Sequence, residues 1–153
     1  MNKLRVGILT DSNLIPHWAY SIIEEIQKGD YAEVVLVVQK KIPAQEKAGL
    51  LTRFRNKYKV FFYFLYLRAE RWLYHPNFDA FAEKNINEII PGTEVMEVVC
   101  LEKQYSDYFQ PADIDLIKSK DIDVFIRMGF RILRGEILQA ARYGIWSFHH
   151  GDN

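Results

Sequence analysis

The 153 residues contain one cysteine, Cys100, so no intramolecular disulfide can form and no pair of thiolates offers a zinc site. Glycine, at 8 residues, and proline, at 5, are too sparse for a collagen-like, linker-like or disordered chain. Charge of one sign is missing too. Twenty Lys+Arg balance twenty Asp+Glu, leaving no net field to gather nucleic acid or an anionic membrane surface. The most apolar stretch, Val60 to Leu67, is cut by Arg68 and Glu70, far short of the roughly 20 apolar residues a spanning helix needs. Neither a nucleic-acid partner nor a membrane crossing is expected. The opening Met1-Asn2-Lys3-Leu4-Arg5 leads straight into a strand-like run without a secretory core, which makes a reducing cytoplasm the expected compartment.

Hydrophobic residues at 49% and charged residues at 26% match a globular protein, and the length suits one compact domain. Leu4 to Leu9 is a short apolar run that ends in the polar turn Thr10-Asp11-Ser12-Asn13, followed by a helical pattern from Pro16 to Gln27. Gly29-Asp30 closes that helix. Glu33 to Val38 is β-branched without polar alternation, as in a strand buried on both faces of a parallel sheet. Glu94 to Leu101 and Asp123 to Met128 repeat the pattern, with a helix from Pro111 to Lys120 between them, its proline in the first turn. A further helix is expected from Arg134 to Arg142, stopped by Tyr143-Gly144, and a last strand from Ile145 to Phe148. Strands alternating with helices imply right-handed crossovers, hence a Rossmann-like, doubly wound and mainly parallel α/β sheet of about five strands.

Between Lys47 and His75 the pattern changes. Arg53, Arg55, Lys57 and Lys59 precede Phe61, Phe62, Tyr63, Phe64, Tyr66, Trp72 and Tyr74. One long helix is expected there, apolar almost all round its middle and so buried on two sides, by the sheet and by something else.

Among chemical motifs, several are excluded. After Gly7 come Ile8-Leu9-Thr10-Asp11-Ser12, without the glycines that let a pyrophosphate approach a helix N-terminus, so neither NAD nor FAD is expected, and no Walker A sequence is present. Asp11-Ser12-Asn13 lies where open α/β sheets place ligands, which makes it a candidate for substrate contact; the competing reading is a helix cap and turn. His149-His150-x-Asp152 has metal-binding residue types, but neighbours on a strand point to opposite faces, so no metal is expected. Cys100 reads as a buried small residue rather than a nucleophile.

The last third is the informative part. Gly129-Phe130-Arg131-Ile132-Leu133 follows a strand and precedes a helical pattern, and Ser147-Phe148-His149 closes the next strand. This stretch resembles the tetrahydrofolate-dependent formyltransferases, the family of glycinamide ribonucleotide, methionyl-tRNA and sugar N-formyltransferases. There a strand ends in a Gly-aromatic or Tyr-Gly turn, an Ile-Leu pair opens a helix, and the following strand carries Asn-x-His. The resemblance implies 10-formyltetrahydrofolate as co-substrate and a small amine as acceptor. By matched position His149 donates to the oxyanion of the tetrahedral intermediate, and Ser147 stands where the family has asparagine. Backbone groups of Arg131-Ile132-Leu133 would bind the pteridine ring, with Phe130 and Ile132 as apolar walls. The family's aspartate, downstream of a Ser-Leu-Leu-Pro loop, has no counterpart before Asn153. The resemblance therefore implies the front part of a longer formyltransferase-like protein, inactive by itself. Two other readings stay open: a non-catalytic binding module of the same fold that uses the aromatic helix, and an α/β domain binding a nucleotide sugar through Asp11-Ser12-Asn13. Ile145 to Phe148, an apolar edge without charge or proline, leads to an expected homodimer.

Overall fold

The computed structural model describes residues 3–41, 61–70, 72–73 and 79–148. Its contacts divide the chain into two compact units, one of Met1–Ile42 with Phe81–Asn153 and one of Pro43–Ala80.

In the first unit the chain runs through β1 (Leu4–Thr10), β2 (Leu14–Pro16), α1 (His17–Lys28) and β3 (Ala32–Lys40). In the second unit residues 61–70, named α2 here, are helical, as are 72–73. The first unit resumes with β4 (Glu83–Asn85), β5 (Glu94–Val98), β6 (Leu101–Glu102), β7 (Ser106–Tyr108) and α3 (Pro111–Lys118). It ends with β8 (Val124–Arg127), β9 (Ile132–Arg134), a 3-10 turn (Glu136–Gln139) and β10 (Ile145–Ser147). Five of the strands form a parallel sheet in the order β10-β8-β1-β3-β5. The fold is α/β and Rossmann-like, and each of the five expected strands is present.

Alternation along the strands builds two cores. Val6 and Ile8 of β1 and Val124 and Ile126 of β8 pack with Ile23 and Ile26 of α1, while Leu9 and Phe125 pack with Ile114 and Ile117 of α3. A helix thus covers each face. Gly7 has a packing role: a Cβ there would lie 2.2 Å from the Phe125 ring. In β3 the register against β1 shifts between Val6 and Gly7, so Val34 pairs with Val6 and Leu36 with Gly7.

Two small sheets were not apparent in the sequence. β2 pairs antiparallel with β4, and β6, β7 and β9 form a three-stranded sheet. The expected helix from Arg134 to Arg142 is corrected: β9 takes Ile132–Arg134, Gly135 turns at φ 84°, and only the 3-10 turn Glu136–Gln139 follows. Pairing of β9 with β7 holds the chain extended where local pattern favoured a helix. Asp11-Ser12-Asn13 does not cap α1 either, since β2 intervenes and Pro16 occupies the cap position.

Of the long helix expected over Lys47 to His75, residues 47–60, 71, 74 and 75, Tyr74 among them, lie outside the described residues. Phe61, Phe62, Tyr63, Phe64 and Tyr66 on α2 are exposed. Among the described residues no helix is long and apolar enough to cross a membrane.

Candidate functional site

The strand order fixes where a ligand would sit. From β1 the chain moves outward to β3 and β5, then returns to β1's other side with β8 and β10. The carboxyl ends of β1 and β8 therefore flank the topological switch point, where the two crossovers part and leave a crevice. Asp11, Ser12 and Asn13 follow β1, and Gly129 to Leu133 follow β8. Ser147 ends β10, alongside Arg127 of β8.

The β1 end is a self-contained turn. Thr10 Oγ1 donates to the Ser12 carbonyl at 3.0 Å, and Ser12 Oγ donates to the Leu14 carbonyl at 2.7 Å and accepts from the Leu14 N–H at 3.1 Å. Asn13 Oδ1 is buried without a hydrogen-bond partner among the described residues.

The β8 end is laid directly on this turn. The N–H groups of Met128 and Gly129 both donate to the Leu9 carbonyl, at 2.8 and 3.0 Å. A Cβ on Gly129 would lie 2.4 Å from the Asp11 nitrogen, so this close approach of two backbones requires glycine. Phe130 follows in the left-handed region at φ 66°, a conformation that disfavours a side chain. Its N–H donates to Asp11 Oδ1 at 2.8 Å, and its buried ring stacks on Phe109 with centroids 5.3 Å apart.

The remaining turn residues are occupied within the chain. Arg131 N–H donates to Asp107 Oδ2 at 2.9 Å, the Arg131 carbonyl accepts from Arg127 Nη1 at 2.8 Å, and the Ile132 N–H donates to the Tyr105 carbonyl at 3.2 Å. The Arg131 side chain pairs with Glu102 and donates to the Lys103 carbonyl at 3.0 Å. Leu133 is a core residue beside Phe130, while Ile132 is exposed. Ser147 Oγ accepts from Arg127 Nε at 3.2 Å and Nη2 at 2.7 Å. His149, His150 and Asp152 lie outside the described residues. Among the described residues no group of three His, Cys, Asp or Glu side chains is arranged to hold a metal ion.

A cavity of about 200 Å³ opens at this edge, lined by Trp18, Arg127, Met128, Gly129, Phe130 and Phe148. Trp18 and Phe148 meet edge-to-face, 5.5 Å between centroids. A larger hollow of about 580 Å³, lined by Ile122, Ala141, Arg142 and Gly144 among others, lies beside the residues that lead into β8 and β10. None of the sequence-predicted site residues borders it.

Beneath the turn is a charge cluster that sequence reasoning missed. Lys40 Nζ lies 2.9 and 3.0 Å from the Asp107 carboxylate oxygens and 2.8 Å from Glu102, with Asp107 fully buried and Lys40 buried. Desolvation is the largest single influence on Lys40 and pulls its pKa down, but the hydrogen bonds and charges of Glu102 and Asp107 together outweigh it, leaving the ammonium raised. The hydrogen bond from Lys40 holds the Glu102 carboxyl below its ordinary range. Lys40 closing an apolar strand, and Arg127 doing the same in β8, were visible signals; Asp107 sits in a short polar segment that gives none. Cys100 is pushed up to about 12, chiefly by burial and then by the Asp107 charge, so it is no nucleophile at neutral pH.

Comparison with known proteins gives no matching family model and no match among curated proteins.

Proposed function

We propose that this chain is a formyltransferase-like domain that takes 10-formyltetrahydrofolate in the switch-point crevice, for transfer of the formyl group to a small amine. In this reading His149 donates to the developing oxyanion, Ser147 stands beside it, and Phe130 and Ile132 flank the pteridine along the Arg131–Leu133 turn. One observation carries the proposal: a single guanidinium, Arg127, bridges Ser147 Oγ and the Arg131 carbonyl, tying together the two halves of the motif, which are separated in sequence. The aromatic lining of the cavity and its volume of about 200 Å³ suit one ring system of the cofactor, since whole drug-sized ligands occupy roughly 300–1,000 Å³.

A second reading, a binding module without transfer, draws support from the same contacts. The Arg131 N–H and carbonyl are committed within the chain, and Ser147 Oγ already accepts from Arg127. Titration calorimetry of the chain with 5-formyltetrahydrofolate separates the outcomes. Heat at sub-millimolar ligand, diminished in the Phe130→Ala variant, is expected. No heat at near-millimolar ligand overturns the folate reading. Binding without formyl transfer to any amine supplied favours the binding module.

A further inference from the structure

Arg127 is a cation held by neutral oxygens and, among the described residues, without an ion-pair partner. Of its five N–H donors, Nε and one on Nη2 go to Ser147 Oγ, and one on Nη1 goes to the Arg131 carbonyl. One N–H on each terminal nitrogen remains. Arg5 pairs with Glu33 and Arg131 with Glu102, whereas Arg127, like Arg134 and Arg142, has no ion pair among the described residues; Arg134 donates to Ser106 Oγ and Arg142 lies over the Tyr143 ring. Asp11 forms no ion pair with it; Asp11 Oδ1 accepts from the Phe130 N–H.

The surroundings point the same way. Arg127 shares its cavity with Trp18, Met128, Phe130 and Phe148, and the first turn of α1, which holds Trp18, carries no acidic residue. A partly buried guanidinium whose orientation is set by two neutral oxygens offers the planar fork that matches a carboxylate or phosphate bidentately. Holding the fork in advance lowers the ordering cost of binding.

We infer that Arg127 is the anion receptor of the crevice, taking a carboxylate or phosphate borne on an aromatic or heteroaromatic ring that packs against Trp18, Phe130 and Phe148. Ser147 is its positioning residue. The inference goes beyond the folate proposal and does not depend on it, because the ligand class follows from the guanidinium and the aromatic walls alone.

The test follows arginine Nε–Hε resonances of the ¹⁵N-labelled chain during separate titrations with benzoate, phenyl phosphate, benzamide, acetate and inorganic phosphate. The Arg127 signal, assigned by its loss in Arg127→Lys, is expected to shift with benzoate or phenyl phosphate. Benzamide, which has the ring without the charge, is expected to bind about tenfold or more weakly, the scale of a charge-assisted hydrogen bond. Whichever of benzoate and phenyl phosphate binds more tightly identifies the anionic group. Arg127→Lys keeps the charge but loses the fork and should weaken the better anion at least about tenfold. Ser147→Ala should weaken it less while broadening the Arg127 signal. Benzamide binding as well as benzoate and phenyl phosphate would overturn the charge assignment in the unaltered chain, whatever the variants do. Acetate and inorganic phosphate matching their aromatic counterparts would overturn the ring assignment. No folate is used, so a negative result here leaves the folate reading standing, and the reverse also holds.

Discussion

Gly129 and Phe130 show how much of the crevice depends on single backbone positions. Gly129 allows two strand ends to touch, and Phe130 accepts a left-handed φ costing about 1–2 kcal/mol because Asp11, Phe109 and burial hold it there. In Gly129→Ala the new Cβ meets the Asp11 backbone rather than a yielding side chain. A loss of about 1–3 kcal/mol is expected, read as a lower urea midpoint with an unchanged slope. Phe130→Ala removes a buried ring and should cost about 3–5 kcal/mol, with no relief of the backbone strain because alanine keeps the Cβ. If Gly129→Ala is as stable as the parent, the turn does not rest on Asp11 as described.

At the level of elements, the Lys40–Asp107–Glu102 cluster joins the end of β3 to the small β6-β7-β9 sheet, and Asp107 passes the connection on to the Arg131 turn. Lys40→Met leaves a fully buried carboxylate short of its countercharge, a change worth about 3–5 kcal/mol in buried pairs. Adding Asp107→Leu should restore part of that loss, because the stranded charge goes with it. The cluster also predicts a pH profile. Glu102 is held below its ordinary value of 4.5, so its contribution is complete above that value and is lost as pH falls through the lowered one. Lys40 is raised above 10.5, so its contribution is complete below 10.5 and is lost as pH rises through the raised value. Urea unfolding across pH should show a plateau between these limits, and Lys40→Met should flatten both flanks. Equal slopes in parent and variant would place the titration elsewhere.

For the whole molecule, the parallel order leaves β10 paired with β8 alone among the described residues. Ile145-Trp146-Ser147 carries neither charge nor proline, and Trp146 is 63% exposed, the kind of edge on which strands of separate molecules pair. Self-association through β10 about a two-fold axis is the expected outcome. Sedimentation equilibrium at micromolar concentration should report a dimer, and Trp146→Lys should shift it toward monomer. A parent chain that sediments as a monomer would show that this edge is covered in solution.

Strong local patterns decided much of this in advance. Unbroken apolar, largely β-branched runs such as Val34 to Val38, the proline opening α3 and the glycine ending α1 determined five parallel strands and two crossover helices, because burial on both faces and helix termini leave their marks within a few residues. The site was legible where it followed strand ends: Asp11, Gly129 and Ser147 share the carboxyl edge as their places in the pattern required. The remainder depended on partners distant in sequence. Arg134 to Arg142 lost its helix to pairing between β9 and β7. Lys40 and Asp107 are 67 residues apart, and Arg127 and Ser147 are 20 apart. No periodicity encodes such pairs, since each is created only when the sheet brings separate strand ends together.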